Sequence, residues 1–183
     1  MFLLHTCCAP CALPLIDSLL RERKPKDFCL FFSNSNIFPD EEYQRRFQAV
    51  QTLASYYQLT LVEDQREHQE WLTYLRQNLA KPPANYQENQ ARCLRCFEFR
   101  LQRTVQFAQA NHFQEFATSL SINLYKDTNF INNYSQKLAQ QFGLKYYQFS
   151  LTPQLAHQKE RVLNQKLHLY HQKYCGCEFS YKN

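Results

Sequence analysis

"FLLHTCCAPCALPLIDSLL", residues Phe2 to Leu20, is the stretch whose reading decides the fold. Its apolar start, Phe2 to Thr6, is short enough to be a buried strand, and a helical pattern runs from about Ala12 to Arg23. Cys7, Cys8 and Cys11 fall where the strand hands over to the helix. The same alternation repeats along the chain. Further strands are expected at "FCLFFS" (28–33), "LTLVED" (59–64), Glu115 to Leu120 and "LKYYQF" (144–149). The intervening helices are expected at 41–57, 68–79, 91–111 and 127–142, with a last one over 154–171. Asp40 reads as an N-cap and Gly143 as a C-terminal stop. Strands alternating with helices predict a parallel sheet covered on both faces. Ligands of such sheets bind at the carboxyl ends of the strands, which is where the first cysteines lie.

The chain has 183 residues, enough for one domain with its own core and no need of disulfides. One domain is expected over 1–183, ending in a Cys-Gly-Cys tail at 175–177. Only two glycines occur, Gly143 and Gly176, so neither common glycine-rich phosphate loop can form. The net charge of +5 is compatible with a polyanionic partner without requiring one. No signal segment and no membrane-spanning run is legible, which leads us to expect a cytoplasmic protein. In that reducing compartment eight cysteines point to metal or redox chemistry rather than to a disulfide framework.

Seven of the eight fall in three groups: Cys7, Cys8 and Cys11; Cys93 and Cys96; Cys175 and Cys177. Cys29, alone in a strand, reads as a small buried hydrophobe. On a helix, Cys93-x-x-Cys96 puts two thiols one turn apart, so both can reach one metal centre. With Cys7 and Cys8 they make four thiolates, a set that suits zinc or an iron–sulfur cluster. Their spread over an α/β domain favours a functional cluster over a structural zinc staple. Cys175-Gly176-Cys177 reads as a redox dithiol, with further metal ligands as the alternative.

The order "LLHTCCAPC", "FFSNSNIFPDEEYQRR", "EDQREHQEW", "RCLRCFEFRL" and "YHQKYCGCEFS" resembles the QueH-type epoxyqueuosine reductases over nearly the whole chain. The resemblance implies a Rossmann-like sheet of the adenine-nucleotide alpha-hydrolase kind, here without a nucleotide site. It implies reduction of the epoxide of epoxyqueuosine to queuosine at the wobble position of tRNA, the last step of queuosine biosynthesis. It also implies a [4Fe–4S] cluster held by Cys7, Cys8, Cys93 and Cys96, a redox-active pair at Cys175 and Cys177, and an additional iron that Cys11 or Asp17 would serve. The partners expected are tRNA carrying epoxyqueuosine and an electron donor of unknown identity. Two stretches, "SLSINLYK" (119–126) and "FSLTPQLAHQKERV" (149–162), depart from the pattern of the family.

Asn34, Asn36, Arg92, Arg100 and Lys126 are candidate substrate or tRNA contacts, and Arg95 and Arg103 share the helix of the C-x-x-C pair. The opposing reading makes that helix face a solvated one, paired with Glu98 and neighbouring acids. Tyr43 and Trp71, at helical spacing, read as core, and His5 as a satisfied core histidine. The rival functions are a zinc-binding, non-catalytic RNA-binding module and a metal-free thiol–disulfide oxidoreductase.

Overall fold

The computed structural model describes residues 1–181, so the last two residues of the expected 1–183 domain lie outside it. Five strands, β1 (Phe2–His5), β2 (Phe28–Phe32), β3 (Thr60–Glu63), β4 (Glu115–Thr118) and β5 (Lys145–Tyr146), form one sheet in the order β3-β2-β1-β4-β5. Every pairing is parallel. Six α-helices connect or follow them: α1 (Ala9–Leu19), α2 (Asp40–Tyr57), α3 (His68–Asn78), α4 (Ala91–Ala110), α5 (Thr128–Phe142) and α6 (Pro153–Leu167). The fold is the expected Rossmann-like α/β sheet.

Strand residues alternate between two buried faces, as a parallel sheet requires. Phe2, Leu4, Leu30 and Phe32 pack with residues of α1, α2 and α6. Leu3, Cys29, Phe31 and Phe116 pack on the other side with residues of α4 and α5. The chain leaves β1 towards β2 and β3, then returns to the opposite side of β1 as β4. The strand order therefore reverses at β1 and β4, and the crevice outside their carboxyl ends is where such a sheet takes a ligand.

Three boundaries differ from the sequence reading in ways that matter for the site. Helix α1 begins at Ala9, with Cys8 at its N-cap position and Pro10 in its first turn, so Cys11 is already helical. Strand β5 has two residues instead of the expected six: the Tyr147 N–H still donates to the Phe116 carbonyl of β4 at 2.8 Å, and beyond it Phe149 packs on the core as a loop residue. Helix α6 stops at Leu167, where His168 takes a left-handed conformation (φ 49°) and the Asn164 side chain accepts from the Leu169 N–H at 3.0 Å. That early stop turns the tail back over the carboxyl ends of the strands.

Candidate metal centre and substrate cavity

The site begins with β1. His5 is fully buried; its Nδ1 lies 2.7 Å from Thr118 Oγ1 on the paired strand and its Nε2 lies 3.1 Å from the Ser33 carbonyl. Burial, then the neighbouring Arg100, lowers this imidazole to about 3, so it stays neutral and holds the strand ends together. Immediately beyond, the Cys7 N–H donates to Ser119 Oγ at 2.9 Å. The sulfurs of Cys7, Cys8 and Cys11 then all lie within 4.8 Å of one another, with 3.7 Å between Cys7 and Cys8.

These thiols form part of the wall of a cavity of about 430 Å³. Asn34, Asn36, Arg100, Lys126 and Cys175 also line it. A small adjoining cavity of about 20 Å³ is lined by Cys93, Cys96, Cys175 and Cys177, and shares Asn36, Arg100 and Lys126 with the first. The seven thiols outside β2 thus meet around two connected spaces. All eight cysteines are free. Cys29 is buried in β2, its thiol donating to the Leu30 carbonyl at 3.3 Å, which is a packing role.

The Cys-Gly-Cys tail is fastened from below. Arg46 of α2 is 3% exposed and pairs with Glu42 at 2.7 Å. Its two terminal nitrogens donate to the carbonyls of Cys175 and Tyr174, both at 3.0 Å. Gly176 takes φ +117°, and a Cβ there would meet Arg46 Nη1 at 2.8 Å, so only glycine fits. The Phe38 N–H donates to the Gly176 carbonyl at 2.7 Å.

A family model described as epoxyqueuosine reductase QueH matches residues 2–183. The chain belongs to the QueH family. A QueH epoxyqueuosine reductase of Thermotoga maritima is 32% identical to it over 181 residues, covering 97% of this chain and 88% of the relative. One from Histophilus somni is 28% identical over 182 residues, covering 99% and 72%. A third, from Acinetobacter baylyi, is 28% identical over 182 residues, covering 99% and 80%.

Within this QueH chain the electrostatics set the thiols apart. Hydrogen bonding from Cys11 and Cys8 outweighs burial and, with Arg100 and Lys126, holds Cys7 well below the usual thiol range. Cys11 draws Cys8 down, but Cys7 and burial outweigh it and push Cys8 up to about 12; Cys7, Cys8 and burial drive Cys11 well above its usual value. The trio therefore ionises unequally, Cys7 most readily, and a soft cation would displace the protons that remain. Burial raises Cys93 and pushes Cys96 up to about 12. The neighbouring Cys177 thiol, then Lys126 and the Ser180 hydroxyl, hold Cys175 low against burial, whereas Cys175 and burial raise Cys177.

The candidate contacts separate in the same way. Arg100 is 4% exposed, donates to Asn34 Oδ1 and to the Ser33 carbonyl, and forms no ion pair among the described residues. Half-buried Lys126 likewise has none, and against the effect of burial it is raised by the neighbouring Cys7, Cys175 and Cys11. Asn36 is buried with its Oδ1 unpartnered beside both cavities. Arg92, by contrast, donates to the carbonyls of Pro83 and Tyr86 at 3.1 and 2.6 Å and covers the Phe179 ring. Arg95 pairs with Glu98 at 2.6 Å and Arg103 with Asp64 at 2.7 Å, although Arg92, Glu98 and Arg100 of the same helix are buried rather than solvated. Asp17 is not brought to the thiols: its carboxylate faces Arg21 at 3.2 Å and Lys159 at 3.7 Å.

Sequence reasoning missed the N–H donors to sulfur. Gln172 Nε2 reaches Cys8 Sγ at 3.0 Å, Asn123 Nδ2 reaches Cys11 Sγ at 3.4 Å, and the Asn89 N–H reaches Cys93 Sγ at 3.2 Å. Nothing in their spacing marks them, since each is placed by a loop. Arg46 had one signal, its i,i+4 relation to Glu42.

Proposed function

We propose that this QueH chain reduces epoxyqueuosine at the wobble position of tRNA to queuosine, using a [4Fe–4S] cluster and the Cys175/Cys177 dithiol. One observation carries the reading beyond family membership. Three separate cysteine groups and two buried or half-buried cations, which have no carboxylate partners among the described residues, converge on two adjoining cavities at the switch point of the sheet. At about 430 Å³ the cavity falls in the range of small-ligand sites and suits a single nucleoside splayed from a loop.

Cys7, Cys8, Cys93 and Cys96 would hold the cluster. Support for the fit comes from the donor set, all soft thiols, and from Arg100 and Lys126, whose unmatched charge suits an anionic thiolate-bound group. When bound, such a cluster supplies electrons one at a time to the site. Cys11, the third thiol of the trio, would serve an additional iron, and Asp17 takes no part in it.

The remaining work falls to this chain's own side chains. Losing the epoxide oxygen as water consumes two electrons and two protons. Cys175 and Cys177, with sulfurs 3.9 Å apart, can give two electrons on closing to a disulfide. The Cys177 thiol, and after it Lys126, favour the thiolate form of Cys175. Asn36, with its free Oδ1, would fix the bound nucleoside, and Asn34, anchored to the Thr6 carbonyl at 3.0 Å, would hold Arg100 in place. Arg100 and Lys126, which line both cavities, would contact the tRNA, with Arg92 beside the smaller one.

The enzyme would act as one domain over residues 1–183 in the cytoplasm, where free thiols persist. Among the described residues no helix is long and apolar enough to cross a membrane. The test is expression in a cell that accumulates epoxyqueuosine. Queuosine should replace it in bulk tRNA; unaltered epoxyqueuosine with well-expressed protein would refute the proposal.

A further inference from the structure

Away from the cysteines, the same cavity carries a second piece of chemistry. Glu160 of α6 is 6% exposed and lines the cavity wall. Among the described residues its carboxyl group accepts no hydrogen bond; its neighbours are two imidazoles. His157 Nδ1 lies 3.8 Å from one carboxyl oxygen and His171 Nε2 lies 3.9 Å from the other. Burial without hydrogen-bond donors disfavours the charged form of a carboxylate. Burial accordingly raises Glu160 above the ordinary carboxylate range, with His171, His157 and Arg161 pulling the other way.

The surrounding charges leave this group as the acid on the α6 side of the cavity. On the same helix, Lys159 is committed to Asp17 of α1 at 3.7 Å. From the wall, Arg46 is paired with Glu42, Arg100 is bound to Asn34, and Lys126 and Lys173 are cations. Glu88, the other carboxyl of the wall, is an exposed residue that lines both cavities on the Cys175 side, and burial and then Cys175 raise it too; Glu160 is the carboxyl on the α6 side. His157 and His171 reach outward, their side chains 45% and 58% exposed, and so connect Glu160 to solvent.

We propose that Glu160 is the general acid that protonates the departing epoxide oxygen, and that His157 and His171 return protons to it from water. The inference rests on the function proposed above. The two carbon–oxygen bonds of the epoxide break and a carbon–carbon double bond forms. The oxygen takes two protons and leaves as water, the first proton coming from Glu160. The two electrons come from the Cys175/Cys177 pair, which closes to a disulfide, Cys175 as its thiolate and Cys177 as a thiol whose released proton is the second one taken by the oxygen.

The experiment compares wild type, Glu160→Gln and Glu160→Asp under single turnover of pre-reduced enzyme on epoxyqueuosine-tRNA across pH. Wild-type activity should fall on the basic side as Glu160 loses its proton. Glu160→Gln should lose about 10²–10⁴-fold in rate with tRNA affinity unchanged, and lose that basic limb, while Glu160→Asp keeps it. An unchanged rate, or a reduced rate with the same limb, overturns the inference. A second readout needs no turnover: the infrared difference between wild type and Glu160→Gln, without tRNA, should show a protonated carboxyl band persisting above the usual glutamate pKa of about 4.3. Its absence overturns the inference by itself. Wild type that converts no epoxyqueuosine but shows the band would instead remove the proposed function and leave the acid in place.

Discussion

The guanidinium of Arg46 donates to the carbonyl of Cys175 at 3.0 Å, across 129 positions of sequence. It does so from a buried pair with Glu42, whose other oxygen accepts from Tyr170 at 2.6 Å. One side chain thus ties α2 to the tail that brings the dithiol to the cavity. Replacing Arg46 by Met leaves Glu42 as an uncompensated buried charge, an effect of about 3–5 kcal/mol. We expect a Tm lowered accordingly, and Cys175 made accessible to proteolysis of the tail below the melting temperature. A Tm equal to that of the wild type would show that the tail is held elsewhere.

The two tail thiols are predicted to differ sharply in reactivity. Cys177 and Lys126 hold Cys175 as a thiolate, while Cys177 is buried and raised. The thiolate is the reactive form. In reduced protein a small alkylating reagent at neutral pH should therefore modify Cys175 before Cys177, by peptide mass spectrometry. Lys126→Met should slow that reaction, since the cation favouring the anion is gone. Equal rates at the two thiols would contradict the asymmetry.

Metal content separates the two readings of the thiol groups. If Cys93 and Cys96 complete the cluster, Cys93→Ser removes the brown colour and most of the iron, whereas Cys11→Ser keeps the cluster absorption. The compact trio of Cys7, Cys8 and Cys11 suggests the opposite outcome as the informative failure. Colour lost with Cys11→Ser and kept with Cys93→Ser would move the fourth ligand away from α4.

How much of this was legible beforehand differs between backbone and side chains. The runs at Phe2, Phe28 and Glu115 marked strands buried on both faces, and their alternation with helices gave the parallel sheet; β1 to β4 and the first five helices lie close to where the spacing puts them. The end of α6 was not legible, because Leu169 and Tyr170 continue an apolar pattern and only the Asn164 cap and the left-handed His168 break the helix. The cysteine groups were visible as motifs. The arginines were visible as charges, but which of them face the cavity depends on partners far away in sequence. Asp64 claims Arg103, the 83–86 turn holds Arg92 beside the smaller cavity alone, and Arg100 lines both.

Glu160 carries a stability signature as well as the chemistry inferred for it. Its folded-state pKa is raised above the unfolded value, mainly by burial. The folded state therefore holds this proton more tightly, its contribution is fully present below the unfolded pKa, and it is lost as pH rises through the folded one. Glu160→Gln should melt higher than wild type at neutral pH, the difference shrinking towards zero below pH ~4. A variant less stable than wild type at neutral pH would mean that the carboxylate is well solvated or paired.

The most direct test of the central claim uses purified, anaerobically reconstituted protein, a low-potential reductant and tRNA bearing epoxyqueuosine, followed by nucleoside mass spectrometry. The account predicts that the modified nucleoside loses one oxygen atom and becomes queuosine with wild type, and that Cys175→Ser fails in multiple turnover with its iron still bound. An unchanged nucleoside in the presence of an intact cluster would contradict it.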